Sequence, residues 1–142
     1  MNNDHEPILA ALLDWLQTAT QGFKTFSRRE VFLTDINAQP ALLLRQVGAN
    51  YEFQKNIFSR TTIDAEIWIA CPATQNSDLP SDTDLNLLKY SVLDAFEPDE
   101  ASGRFTLGGL AFWCRVEGQS EQYPGDIGNQ SLCKLPVKIT VP

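Results

Sequence analysis

The chain has 142 residues, of which 43% are hydrophobic, and its formal net charge at pH 7 is −7. This length and composition suit one folded domain with its own core, so we expect residues 1–142 to form a single domain. Eighteen acidic residues against eleven basic ones argue against specific nucleic-acid binding, and the sequence has no apolar run near the roughly 20 residues that cross a bilayer.

The N-terminal segment MNNDHEPILAALLDWLQ lacks a basic region and carries acidic residues on both sides of its apolar part. This arrangement argues against a signal peptide. We therefore expect a soluble protein in the cytoplasm of the cell that makes it, with no membrane partner.

The first periodic segment, PILAALLDWLQTA at 7–19, predicts an amphipathic helix. Pro7 suits the first helical position, where a missing N–H costs nothing, and Gly22 favours an end to the segment. The apolar face is made of Ile8, Leu9, Leu12, Leu13 and Leu16.

Strand patterns follow. ALLLRQV at 41–47 is short and apolar, GAN at 48–50 predicts a turn, and NYEFQKNIF at 50–58 alternates as a more exposed or irregular strand. TTIDAEIWIAC at 61–71 gives the clearest strand. One of its faces carries Ile63, Ala65, Ile67, Ile69 and Cys71, and the other carries Asp64, Glu66 and Trp68.

SDTDLNLLKYSVLDAF at 81–96 predicts a second amphipathic helix. Ser81 is a good N-cap residue, and Asp84 stands three positions later, as in a capping box with Asp in place of Glu. Pro98 is expected to stop the helix. Its apolar face is made of Leu85, Leu88, Val92 and Phe96.

The C-terminal third predicts a long β-hairpin. We expect its first strand to be LAFWCRVEG at 110–118, its turn to be QSEQYPGDIGN at 119–129, and its second strand to be QSLCKLPVKITVP at 130–142. Pro136 cannot donate to a ladder, which favours an edge or a bulge. The Gly108-Gly109 pair favours a bulge, a bend with positive φ or a close backbone approach.

These elements predict an α+β domain. The alternating patterns favour a mainly antiparallel sheet, of about four to five strands, over a parallel one. Two amphipathic helices can cover one face of such a sheet, which gives a two-layer architecture.

Candidate catalytic groups are few. The sole histidine, His5, lies before the first helix, where a frayed terminus would not hold a triad, and no phosphate-loop motif occurs. Three pairs of carboxylates lie close together in the sequence, and each has a simpler role than catalysis: in helix capping, in a solvated loop and near a hairpin tip, respectively. These pairs are Asp82 with Asp84, Asp99 with Glu100, and Glu117 with Glu121. We predict no enzyme activity and no cofactor.

The three cysteines, Cys71, Cys114 and Cys133, have no CxxC spacing. They fall within predicted strands, which favours reduced, buried thiols over a disulfide framework. A shared metal site would lack histidine partners, so we predict no metal.

A candidate interface comes from the aromatic residues. By parity, Trp68 and Trp113 point away from the faces that carry Ile67 and Phe112, and they are accompanied by Arg115 and Glu117. Trp and Arg are enriched at protein contacts, so this face is a candidate for covering by a neighbouring subunit. The alternative is that both are surface aromatics packed under loops.

Several segments resemble a family of small bacteriophage tail proteins. TLGGLAFWCRVEG and PGDIGNQSLCKLPVKITVP are similar to a TLGGLV…C.IEG-like block, a GDLDGQ-like turn and a VPI.I.VP-like ending that are typical of its members. QPALLLRQ, IDAEIWIAC and LNLLKYSVLDAFEPD are also similar, so the resemblance covers residues 6–142. The chain departs from the pattern at Asn129, where glycine is usual, and at SLCKLP, where the family is more aliphatic.

This resemblance implies a tail terminator or tail-completion protein of a long-tailed phage or prophage, with no catalytic residues. It implies a sheet-and-helix fold that assembles with itself as a ring, expected to be a hexamer, on the tail tube protein. Such a ring stops tube polymerisation and provides the surface for head–tail connector proteins. The protein would be found in the virion tail and, during assembly, in the host cytoplasm.

Within this implied ring, the hairpin tip with Tyr123 and Asp126 could reach a neighbouring subunit or the tube. The alternatives are a small non-catalytic protein-binding module and another head–tail connector or minor tail component.

Overall fold

The computed structural model describes residues 5–28, 39–52, 60–72, 83–127 and 130–141. Two helices and six strands follow in the order αβββαβββ. The helices are α1 (Glu6–Ala19) and α2 (Thr83–Asp94). The strands are β1 (Thr25–Ser27), β2 (Ala41–Glu52), β3 (Arg60–Pro72), β4 (Trp113–Val116), β5 (Glu121–Ile127) and β6 (Gln130–Val141).

All strands belong to one mixed sheet with the order β1-β2-β3-β6-β4, and β5 also pairs with β6. The β1–β2 pair is parallel and the other pairs are antiparallel. The predicted α+β class with a mainly antiparallel sheet is therefore confirmed. The sheet has six strands, more than predicted, because β1 has three residues and β5 contains a Pro-Gly pair typical of a turn.

The two helices bury most of their predicted apolar faces; Leu13 is only partly buried, and so is Phe96, which lies beyond the end of α2 at Asp94. In α1 the buried residues are Ile8, Leu9, Leu12 and Leu16, and in α2 they are Leu85, Leu88 and Val92. Thr20 is the residue that caps the C-terminal end of α1. Its extended backbone leaves the helix, and its hydroxyl donates to the Leu16 carbonyl oxygen at 2.6 Å. The predicted N-cap residue of the second helix, Ser81, lies outside the described residues.

The core contains two clusters of buried side chains. The first joins the buried residues of both helices to one side of the sheet, including Ile63, Ile67, Cys133 and Ile139. The second lies on the other side of the sheet and is built from strand residues alone. Its buried members are Ala41, Leu43, Ala70 and Leu132, with Trp68 and Tyr123 packed against them.

Strand β2 is longer than the sequence predicted. Residues 48–50, expected to form a turn, lie within β2, and their partners on β3 are Asp64, Ile63 and Thr62. The register shifts between Gln46 and Gly48, so that Val47 has no Cα partner on β3 and Gly48 continues the ladder opposite Asp64. The predicted separate strand at 50–58 is therefore wrong for Asn50–Glu52, and its remainder lies outside the described residues.

The C-terminal hairpin also differs from the prediction. The segment 121–127, expected to turn, forms β5 and pairs with the first half of β6, while β4 pairs with the second half. The Pro136 carbonyl accepts from the Glu117 N–H at 3.1 Å, so the nitrogen of Pro136 faces the same edge strands. At this point β4 has ended and β5 has not begun, so neither edge strand needs a hydrogen bond from the N–H that proline lacks. This is how a central strand accommodates proline.

The strand predicted from Leu110 begins at Trp113. The backbone before it turns through three successive positive φ values, 53° at Leu107, 69° at Gly108 and 96° at Gly109. The prediction of positive φ at the glycine pair is confirmed. Phe112, the residue before β4, is exposed.

Candidate interaction surface

We call the sheet side that carries the second cluster the outer face. Cross-strand partners share a face, so the register places its side chains directly. Four cations lie on it or beside it, Arg45, Arg115, Lys134 and Lys138, and so do four anions, Asp64, Glu66, Glu117 and Glu121. Among the described residues this surface is therefore balanced in charge, whereas the whole chain carries −7.

A chain of ion pairs crosses four strands of the outer face. Glu66 on β3 receives Arg45 Nε at 3.2 Å and Lys134 Nζ at 3.5 Å. Lys134 also lies 3.2 Å from Glu121 Oε2, to which the Tyr123 hydroxyl donates at 2.7 Å. Each charged group is matched by a neighbour on the adjacent strand, which orders this half of the face.

These contacts shift three pKa values. The hydrogen bonds from Tyr123 and Lys134 hold the pKa of Glu121 below its usual range. The same hydrogen bonds raise the pKa of Tyr123 and of Lys134, because each proton is held by the Glu121 carboxylate. In all three groups the hydrogen bonds outweigh the smaller effect of burial on the pKa.

The other half of the outer face surrounds Trp113. The Arg115 guanidinium lies 3.9 Å from the centre of the Trp113 ring, donates to the Thr140 hydroxyl at 3.1 Å and pairs with Glu117 at 3.3 Å. Beside it, Lys138 Nζ lies 2.5 Å from Asp64 Oδ1. Arg115 is thus held over an indole ring by its contacts with Thr140 and Glu117, a geometry in which little side-chain freedom is left to lose on binding.

The predicted interface residues separate into two groups. Trp113 is 39% exposed and, with Arg115 and Glu117, forms one contiguous group, whereas Trp68 is half-buried and packs on the second cluster with Tyr123. The prediction that both tryptophans lie on the side opposite Ile67 is confirmed. The side chain of Asp126 lies outside the described residues.

Two exposed apolar residues that lie close to this group in the sequence were missed by the sequence reasoning. Leu110 is 48% exposed and Phe112 is 36% exposed, and both lie within the three residues before Trp113, where the edge strand β4 begins. Arg104 lies over the Phe112 ring at 4.2 Å and donates to its carbonyl oxygen at 3.0 Å. The Gly-Gly pair was the available indication, since a turn at that point leaves Leu110 and Phe112 outside β4.

The three thiols are buried and unpaired by disulfide bonds, as predicted. Burial raises the pKa of Cys71 and of Cys133 to about 11 and that of Cys114 to about 12. The thiolate is the reactive form, so these side chains act as small apolar groups at neutral pH.

The pH dependence of stability should reveal the Glu121 contacts. Because its folded pKa lies below 4.5, its stabilising contribution is present above pH 4.5 and is lost as pH falls through the lowered folded value. Glu121→Gln should therefore lose stability to urea at pH 7, and the difference from the parent should shrink at pH 3. The raised pKa values of Tyr123 and Lys134 act oppositely, with stabilisation present below 10.0 and 10.5 respectively and lost as pH rises further.

Glu97→Gln, which neutralises an exposed carboxylate outside the network, is the matched control. If it reproduces the pH-dependent difference of Glu121→Gln, the contacts with Tyr123 and Lys134 do not carry the effect.

Comparison of the chain with protein-family models and with curated proteins finds no match. Among the residues that the structure describes, no group of three or more His, Cys, Asp or Glu side chains could hold a metal ion. Neither described helix combines the length and apolar character needed to cross a bilayer. The function must therefore be argued from the surface itself.

Proposed function

We propose that the protein is a structural tail protein of a phage or prophage, a tail terminator that forms a ring on the tail tube, stops its polymerisation and offers the head-joining surface. The observation that carries this proposal is the Trp113–Arg115–Glu117 group, which is exposed at the edge of a charge-balanced sheet face and is preceded in the sequence by the exposed side chains of Leu110 and Phe112. An exposed surface of this kind can form a contact between subunits and needs no catalytic residue to do so.

Electrostatics favours this face for contact between copies. Two chains of net charge −7 repel each other, but the four cations and four anions of the outer face sum to zero. A copy approaching this face therefore meets a surface whose described charges sum to zero. Most of these charges already have partners, which lowers the cost of removing them from water.

A ring needs two different surfaces on each subunit, because only a head-to-tail contact that closes on itself gives a ring. The edge at β4 supplies one, with exposed aromatic side chains beside a strand end. The edge at the other end of the strand order supplies the second surface. Among the described residues, β1 at that edge pairs with only the first three residues of β2. Beyond that pairing, β2 carries the exposed side chains of Val47 and Tyr51.

Trp113→Ala should weaken self-association and tube binding by about thirtyfold, the scale of a buried aromatic anchor worth about 2 kcal/mol. Stability should change little, because the ring is 39% exposed in the monomer. Light scattering at several concentrations measures association, and electron microscopy with added tail tubes shows density bound at tube ends.

Tyr90→Ala, which removes an exposed aromatic from α2, is the matched control and should leave both readouts unchanged. Unaltered association in the Trp113 variant would show that this face is not the interface. Absence of binding to tube ends by the parent protein would favour the alternative of a small non-catalytic binding module or another connector component.

A further inference from the structure

A cavity of about 540 Å³ lies between α1 and the loop that precedes β4. Its lining combines apolar and acidic side chains, chiefly Asp14, Trp15, Asp99, Phe105 and Leu107. It shares no residue with the outer face. A volume of this size falls within the range of small-ligand and side-chain pockets.

The apolar wall of the cavity is held in place by its own contacts. The Trp15 indole N–H donates to the Ala95 carbonyl oxygen at 2.8 Å, and its ring lies 5.5 Å from that of Phe105. Phe105 in turn meets Phe96 edge-on at 5.6 Å. Trp15 nevertheless remains 43% exposed, so a fixed indole surface is open to an incoming group.

The loop opposite Trp15 is also ordered. Asp99 accepts from the Thr106 hydroxyl at 3.0 Å, and its backbone bonds to Arg104 and Gly103 close the turn between them. Leu107 has a φ of 53°, a conformation that a branched residue rarely adopts. Such backbone strain is found where the surrounding structure holds a site in one shape.

The charge of the cavity selects its occupant. Asp14 and Asp99 both line it, and neither makes an ion pair with a cationic side chain among the described residues. Two carboxylates beside an exposed indole surface suit a planar cation, since a guanidinium can stack on an aromatic ring while bonding to carboxylate oxygens. An anion or a purely apolar group would leave these carboxylates unmatched.

We infer that this cavity binds an arginine side chain of a partner protein. The guanidinium lies against Trp15 and between the carboxylates of Asp14 and Asp99, and its apolar stem covers Phe105 and Leu107. This inference does not rest on the proposed tail function, because none of these residues belongs to the outer face.

Titration of the full chain with acetyl-Ala-Arg-Ala-amide tests the inference. The Trp15 indole N–H cross-peak in nitrogen–proton correlation spectra, assigned with Trp15→Phe, should shift and saturate. The peptide with citrulline in place of arginine, which has the same shape and no charge, should bind at least tenfold more weakly. Added NaCl should weaken binding of the arginine peptide.

The double variant Asp14→Asn with Asp99→Asn should lose at least tenfold in affinity. Asp94→Asn with Glu100→Gln removes the same charge from exposed positions outside the cavity and should change affinity less than twofold. Since Asp99 also orders its loop, Asp14→Asn alone provides a variant in which that hydrogen bond is intact, and it should lose at least threefold.

No saturable shift of the Trp15 signal up to roughly 10 mM peptide would overturn the inference. Equal binding of the citrulline peptide, or equal losses in the two double variants, would also overturn it. None of these outcomes bears on whether Trp113 mediates assembly, so the two proposals fail independently.

Discussion

Replacing Leu85 with alanine should lower the free energy of unfolding by about 2 to 5 kcal/mol. Leu85 has 0% exposure and lies on the buried side of α2, within the cluster that joins both helices to the sheet. Shortening it removes apolar contacts and leaves a void that close-packed neighbours fill only in part. Urea unfolding followed by circular dichroism measures the change.

The same helix provides the control. Leu87, two positions later, is 65% exposed, and Leu87→Ala changes the same atoms on the solvent side of α2. Its effect should stay within about 0.5 kcal/mol. Similar losses for the two variants would mean that the buried face of α2 has been assigned incorrectly.

Gly118→Ala should lower the free energy of unfolding by about 2 to 4 kcal/mol. Gly118 has a φ of 124°, a conformation that L side chains rarely adopt, and an added Cβ would stand 2.9 Å from Pro136 Cγ. The proline ring is closed onto its own backbone and cannot rotate away as a flexible side chain would. Both backbone strain and steric overlap therefore act at this one position.

Gly103→Ala separates these two contributions. Gly103 also has a positive φ, 70°, but an added Cβ there would meet nothing within 4 Å, so only the backbone strain of about 1 to 2 kcal/mol should appear. The double variant Gly118→Ala with Pro136→Ala should recover the steric part relative to Pro136→Ala alone. If Gly118→Ala costs no more than Gly103→Ala, the approach to Pro136 is looser than the structure shows.

The helices and the central strand could be predicted from the sequence because their patterns are long. Leu9, Leu12 and Leu16 recur at helical spacing, and Ile63 to Ile69 alternate without interruption, so burial of one face follows from period alone. The failures have local causes. The GAN segment continues β2 after a register shift at Val47, and the Pro-Gly pair lies at an irregularity inside β5, whose residues on either side pair with β6.

The candidate sites depend more on tertiary structure. Parity was sufficient to place Trp113 and Arg115 on one side of the sheet, but the burial of Trp68 depends on Leu43 and Leu132, which come from other strands. The cavity joins Asp14 on α1 to Asp99 in a distant loop, so no spacing rule could have paired them. The exposure of Leu110 and Phe112 could not be predicted, because the sequence did not show how far the turn at Gly108 and Gly109 extends before β4 begins.

One edge of β6 pairs with two strands in turn, β4 and β5, and this has a consequence for how the sequence of the chain can vary. Val116 pairs with Val137 and Glu121 pairs with Lys134, so the edge strands advance five residues while β6 advances three. Four residues, 117–120, lie outside both ladders, opposite only two residues of β6. Insertions after Gly118 would enlarge this short excursion without moving either register, at a modest entropic penalty. This position is therefore where the domain can accept new sequence, such as an added recognition loop, while keeping its sheet.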